Sequence, residues 1–136
     1  LLIKEDDYIN SAVKAKNITA LKQILAIEPQ NCDRYIALCL KNSFEEGYKY
    51  IYDKYKKKLN ISQAAYYSVR YRQYEFFKSV KGLSQRDYDI ALSLTSENDN
   101  EMNMYIIKQG GSFNKDFFNQ ATAQKINNII KYIVGE

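Results

Sequence analysis

Five seventeen-residue segments of this chain repeat one order of residue types at a nearly constant interval, and such a chain folds unit by unit rather than around one central core. They read INSAVKAKNITALKQIL, IALCLKNSFEEGYKYIY, AAYYSVRYRQYEFFKSV, ALSLTSENDNEMNMYII and FNQATAQKINNIIKYIV. Each has an apolar position, a small or apolar pair three and four residues on, a polar turn, and then apolar residues spaced by three and four. Aligned on the turn, the units superpose Lys16, Ser43, Tyr71, Asn98 and Lys125, with intervals of 27, 28, 27 and 27.

The spacing is helical, not that of strands. It places Ile9, Ala12 and Val13 on the inward face of the first helix, and likewise Ile36, Cys39 and Leu40; Ala64, Tyr67 and Ser68; Ala91, Leu94 and Thr95; Phe118, Ala121 and Thr122. In the second helices the inward sets are Leu21, Ile24 and Leu25; Tyr48, Ile51 and Tyr52; Phe76, Ser79 and Val80; Asn103, Ile106 and Ile107; Ile130, Ile133 and Val134. Ser79 and Asn103 are polar interruptions of that stripe. Phe77 falls outside it, so either the third unit is shifted locally or Phe77 is an exposed apolar contact.

Ser43 with Glu46, and Asn98 with Glu101, have the spacing of a capping box that would open the second helices. Ser62, Ser84 with Asp87, and Asn114 are candidate openings for first helices, while Pro29, Gly82 and the pair Gly110 and Gly111 mark stops. The run Lys54 to Asn60 reads as a basic helix end followed by a turn, where cations complement the negative end of the helix dipole. The expectation is an all-α solenoid of about five stacked helix-turn-helix units of about 27 residues. It forms a single domain over 1–136, with units at 5–30, 31–59, 60–84, 85–113 and 114–136.

These residues carry a resemblance. The small pair in the first helix, the short polar turn, the double aliphatic ending of the second helix and above all YIIKQGGSF, Tyr105 to Phe113, resemble a degenerate, shortened ankyrin repeat. The likeness covers nearly the whole chain, but the units are about six residues shorter than the usual 33, the Thr-Pro-Leu-His opening is missing, and only the fourth unit keeps the terminal glycine. In composition and style of divergence the chain also resembles the ankyrin-type arrays that large DNA viruses and intracellular bacteria use to engage host factors.

The resemblance implies a noncatalytic scaffold that binds another protein on the concave side formed by first helices and the segments before them. The two residues before each turn would then face the partner: Lys14 and Ala15, Lys41 and Asn42, Val69 and Arg70, Ser96 and Glu97, Ala123 and Gln124. Asp33, Arg34, Ser62, Gln63, Arg86 and Asp87 join them as loop positions. Lys14, Lys41 and Arg70 would form a basic row suited to an acidic surface. Because binding hot spots favour tyrosine and arginine, Arg34, Tyr35, Tyr66, Arg70 and Arg86 are the individual candidates.

Charge supplies the rival reading. The chain carries a formal +4, yet residues 49–81 alone hold nine Lys or Arg against Asp53 and Glu75. The same segment contains YYSVRYRQYEFF, so a nucleic-acid-binding helical repeat using aromatic stacking and phosphate contacts is the alternative. Histidine is absent, no glycine-rich phosphate loop or nucleophile elbow is present, and the acidic pairs Asp6 with Asp7, Glu45 with Glu46 and Glu97 with Asp99 sit at caps and solvated faces. The inventory points away from catalysis, cofactors and metal.

Cys32 and Cys39 are too few for a disulfide framework, and Cys39 occupies a small-residue core position. The opening Leu1, Leu2, Ile3 is too short for a signal sequence or a membrane span of about twenty residues. The expected location is therefore cytoplasmic. With no initiator Met, the chain reads as an excised fragment, and Glu136 is expected to abut the true C-terminus or another unit.

Overall fold

The computed structural model describes residues 5–135, apart from the side chains of Glu5, Asp6 and Asp116. The apolar opening Leu1 to Ile3, the Asp6 carboxylate and the expectation attached to Glu136 lie outside the described residues. Ten short α-helices follow one another: α1 (Glu5–Lys14), α2 (Ile18–Ile27), α3 (Cys32–Lys41), α4 (Glu45–Tyr55), α5 (Ile61–Arg70), α6 (Tyr74–Ser79), α7 (Gln85–Leu94), α8 (Asn100–Lys108), α9 (Lys115–Gln120) and α10 (Ala123–Ile133). A 3-10 turn at Pro29–Asn31 precedes α3. No strand occurs among the described residues.

The helices pack in chain order. Within the pairs, α1 meets α2, α3 meets α4, α5 meets α6 and α7 meets α8; α1, α3, α5, α7 and α9 also lie side by side, each against the next. On the other layer, α2 touches α4 and α8 touches α10. A helix this short is marginal alone, so its stability comes from the apolar face it buries against neighbours.

The first three turns share one backbone device. In each, the first helix ends two residues before a residue in the left-handed region: Lys16 (φ 53°), Ser43 (φ 56°) and Arg72 (φ 62°). The following amide then reaches back five residues, from Asn17 to the Ala12 carbonyl, from Phe44 to Cys39 and from Gln73 to Ser68. This is the Schellman closure. Holding a residue with a Cβ in that region costs about 1–2 kcal/mol. Sequence reading placed the third turn at Tyr71, one residue early, because no glycine marked the position.

Two expected capping boxes do not form. Ser43 is spent as the left-handed residue, so Phe44 stands at the α4 N-cap without a side-chain bond, and Asp99 rather than Asn98 precedes α8. Ser62 lies inside α5, whose amide Gln63 is capped by Asn60. The box of Ser84 with Asp87 does form, and Asn114 caps α9.

The interior divides at the third helix pair. Ala64, Phe76 and Val80 belong to one apolar cluster with Ile9, Leu25, Ile36, Leu40, Tyr48 and Ile51, whereas Ala65, Val69 and Phe77 belong to a second with Leu92, Ile106, Phe117 and Ile129. Consecutive residues thus face opposite ways. Phe77, the residue that fitted the periodic stripe least well, is 1 % exposed, its ring edge-on to Tyr88 and Tyr105 of the following pair. Phe76 turns back onto Tyr48 and Tyr52.

Asn103, read as a defect, is buried and bonded: its carbonyl accepts from Thr95, and its amide donates to the Ser96 carbonyl. Ser79 is exposed. Met102 fills the second cluster, and both Cys32 and Cys39 are buried free thiols, with burial pushing Cys39 up to about 12.

The fifth unit departs from the sequence reading. Lys125 is not a turn residue but lies inside α10, and Phe118, Ile130, Ile133 and Val134 are exposed while Phe117 and Ile129 are buried. Only six residues form α9, so the chain reverses early, and Thr122 caps α10 by accepting from the Lys125 amide.

Candidate functional site

The positions expected at loops before the first helices are in fact their first turns: Asp33 and Arg34 in α3, Ser62 and Gln63 in α5, Arg86 and Asp87 in α7. Because α5 and α7 pack side by side, two of these turns and the next turn of α5 converge. Asn60, Ser62, Gln63, Tyr66, Ser84, Arg86, Asp87 and Ile90 line an open groove of about 340 Å³. Two expected site residues, Tyr66 and Arg86, therefore share one concavity.

Local chemistry shapes the groove floor. Asn60 accepts from the Gln63 amide and Ser84 from the Asp87 amide, so both helices start at fixed points along its rim. The Asn60 amide itself donates to Asp33 of α3 at 2.8 Å, tying the α5 start to the preceding pair. Tyr66 is half-buried, edge-on to Tyr67 with ring centres 5.3 Å apart, and Tyr67 stacks on Tyr71. The rings of Tyr66, Tyr67 and Tyr71 thus stiffen one flank.

Arg70 lies one turn beyond Tyr66 on α5 and is exposed. Hydrogen bonding to Tyr71, then the neighbouring Tyr66, raises its already high pKa, so the guanidinium is fully charged. Lys14, Lys41 and Arg70 are each the last residue of their helix, α1, α3 and α5, and all three are exposed. Side-by-side packing of these helices sets the three cations at the same end of one layer. A cation there also complements the C-terminal helix dipole.

The other predicted positions divide. Arg34 is exposed, its guanidinium over the Tyr35 ring. Tyr35 is fully buried, and its hydroxyl donates to the Glu28 carboxylate at 2.5 Å, so its ring belongs to the core rather than to an accessible face. Val69, paired with Arg70 in the expected row, is buried in the second cluster.

Sequence reasoning missed the bonds that join one turn to the next. Asp99 accepts from Arg72, from the Tyr74 hydroxyl at 2.6 Å and from Ser96. Burial pushes its carboxyl up, but the bonds from Tyr74, Arg72 and Ser96 outweigh that and hold it below the usual range. Gln73 donates to Ser43 and accepts from Tyr48, again bridging adjacent pairs. The intervals of 24 to 30 residues between partners, close to the 27-residue spacing of the aligned sequence segments, are the signal that could have located them.

Several lysines of the basic middle segment lie over aromatic rings. Lys54 lies over Tyr50 and Tyr55, Lys56 over Tyr52 and Lys78 over Tyr105. Among the described residues no group of three or more Cys, Asp or Glu is placed to hold a metal ion, and no helix is long and apolar enough to cross a membrane. No protein-family profile, no curated protein and no solved structure matches the chain.

Proposed function

We propose that the chain is a noncatalytic, ankyrin-like scaffold, a solenoid of five short helix pairs that binds an acidic protein surface along the α5–α7 groove and the cation row beside it. The observation that carries the reading is the convergence of Tyr66 and Arg86 in one groove, with Arg70 one helical turn further along α5. A half-buried tyrosine between arginines is the composition in which binding energy concentrates. Lys14 and Lys41 extend the positive field and speed encounter with an acidic partner. Contact is through the edges and first turns of helices already held in place, so little order need be gained on binding. A partner from a host cell is what the ankyrin-type resemblance implies.

The test is affinity capture from lysate with mass spectrometry, run with and without nuclease, comparing the natural sequence with Arg70→Glu/Arg86→Glu. A protein retained after nuclease treatment and lost from the double variant supports the reading. Capture that depends on nucleic acid, or that is indifferent to both substitutions, sinks it. Binding that falls steeply with salt and tolerates any sequence would instead identify a phosphate backbone as the partner.

A further inference from the structure

Four of the five residues from Lys54 to Lys58, at the C-terminal end of α4, are lysines, and all four are exposed. One cation in a last turn complements the helix dipole, but four crowd like charges together. Tyrosine faces gather them and others. The Lys54 ammonium lies 5.7 Å from the ring centre of Tyr50, and the ammonium of Lys22, from α2, lies 5.1 Å from that same ring. On the opposite flank of α4, Lys56 stands 4.6 Å from the ring centre of Tyr52, whose hydroxyl accepts from the Lys81 amide. Lysines from α2, from α4 and from the segment after α6 thus meet at one helix end.

Carboxylates do not neutralise them. Among the described residues Lys49 is paired with Glu45 and Lys78 with Glu75, whereas Lys22, Lys54, Lys56, Lys57, Lys58 and Lys81 stand in no ion pair. Between Glu46 and Glu75 the chain carries a single carboxylate, Asp53. The patch also offers charge without apolar area: Tyr52 and Tyr55 are 7 % and 9 % exposed, and Tyr50 lies beneath two ammonium groups. A protein partner would need a desolvated anchor there, and a single-stranded nucleic acid a free ring face to stack on. A bilayer bearing anionic headgroups needs only positive charge density.

We infer that this end of α4 docks the chain peripherally onto an anionic membrane surface, with the six ammonium groups facing headgroup phosphates and carboxylates. The attachment is electrostatic and therefore reversible by salt. None of the six lysines lines the α5–α7 groove, so the inference stands whether or not that groove binds a protein.

Co-sedimentation with phosphatidylcholine vesicles, made with and without phosphatidylserine, tests it at low and at high salt. The natural sequence is compared with Lys56→Gln/Lys57→Gln/Lys58→Gln and with Lys108→Gln/Lys115→Gln/Lys131→Gln. Both variants lose the same formal charge at exposed positions, so circular dichroism should show unchanged helix content. The natural sequence is expected to sediment only with the phosphatidylserine vesicles and to be released as salt rises. Each lysine near such a surface contributes roughly fivefold, so the first variant should lose about a hundredfold in partitioning and the second a few-fold at most. Failure of the natural sequence to bind phosphatidylserine vesicles would overturn the inference, as would equal losses in the two variants. So would a duplex oligonucleotide that, at equal anion concentration, strips the protein from the vesicles, since the patch would then be a nucleic-acid surface.

Discussion

The ammonium nitrogen of Lys125 lies 2.5 Å from the carbonyl oxygen of Leu92, and a second bond to the Thr95 carbonyl lets this α10 side chain close the C-terminal end of α7. Lys125 is 3 % exposed, with the Phe117 ring beneath it. A cation on unsatisfied carbonyls at a helix end is favourably placed. Desolvation nonetheless lowers its pKa from 10.5 to about 8.

The pH dependence follows from that depression. Below pH 8 the residue is charged in both folded and unfolded chains, and the folded chain carries the full desolvation cost. Between 8 and 10.5 the unfolded chain binds the proton more tightly, so folding stability rises with pH. Relative to Lys125→Met, the natural sequence should gain on the order of 1–2 kcal/mol between pH 7 and pH 9.5 in urea unfolding. The comparison stops at 9.5 because burial raises the pKa values of Tyr48, Tyr55, Tyr74 and Tyr88, so their contribution to stability is lost at higher pH. A flat difference would show that the ammonium is solvated.

Phe76 and Phe77 should unfold different halves of the molecule. Truncating either to alanine is expected to cost about 3–5 kcal/mol, since each fills a buried site. Hydrogen exchange separates them: Phe76→Ala should accelerate amides in α1 to α4, and Phe77→Ala those in α7 to α10. Equal acceleration across the chain in both variants would mean that the two clusters melt as one.

Gly47→Ala reverses the usual rule for helix interiors. Alanine is ordinarily the better helix former by about 1 kcal/mol. Here a Cβ would stand 2.7 Å from the Phe44 ring and 2.9 Å from the Cys39 sulfur, because α4 crosses α3 at that point. A net loss of about 1–3 kcal/mol in thermal or urea unfolding is expected from the overpacking.

Lys16 and Arg72 share a left-handed backbone but not a side-chain role. Lys16→Gly should stabilise by about 1 kcal/mol, because it relieves the Cβ clash at an exposed position. Arg72→Gly relieves the same clash yet removes the bonds to Asp99 and Ser96, and is expected to gain less or to lose stability. The contribution of Asp99 itself is present above pH 3.8 and is lost as pH falls below it, since its folded pKa is depressed. The stability difference between the natural sequence and Asp99→Asn seen in unfolding curves at pH 7 should therefore shrink at pH 3.

Apolar spacing was enough to read helices, their order in pairs and most of the inward residues of the first two units, because a 3.6-residue period is a property of the local chain. Ile9, Val13, Ile36, Cys39, Leu40 and Ile51 needed no knowledge of neighbours. The candidate site was legible as a set of residue types, Tyr66 and Arg86 among them, whereas Ser62, Gln63, Arg86 and Asp87 read as loop positions although they lie in the first turns of α5 and α7. That they share a groove was not, since this depends on α5 lying beside α7.

Tertiary packing decided the remainder. Adjacent apolar residues such as Phe76 and Phe77, Phe117 and Phe118, or Ile129 and Ile130 satisfy a helical stripe equally well in either register, and only the neighbour that covers one of them breaks the tie. The burial of Lys125 and the loss of Tyr35 to the core both follow from contacts with residues seven or more positions away. The sequence by itself determined a chain of short helices packed in sequence order; which side of each helix faces inward, and which cations stay at the surface, was settled by the helices packed on either side.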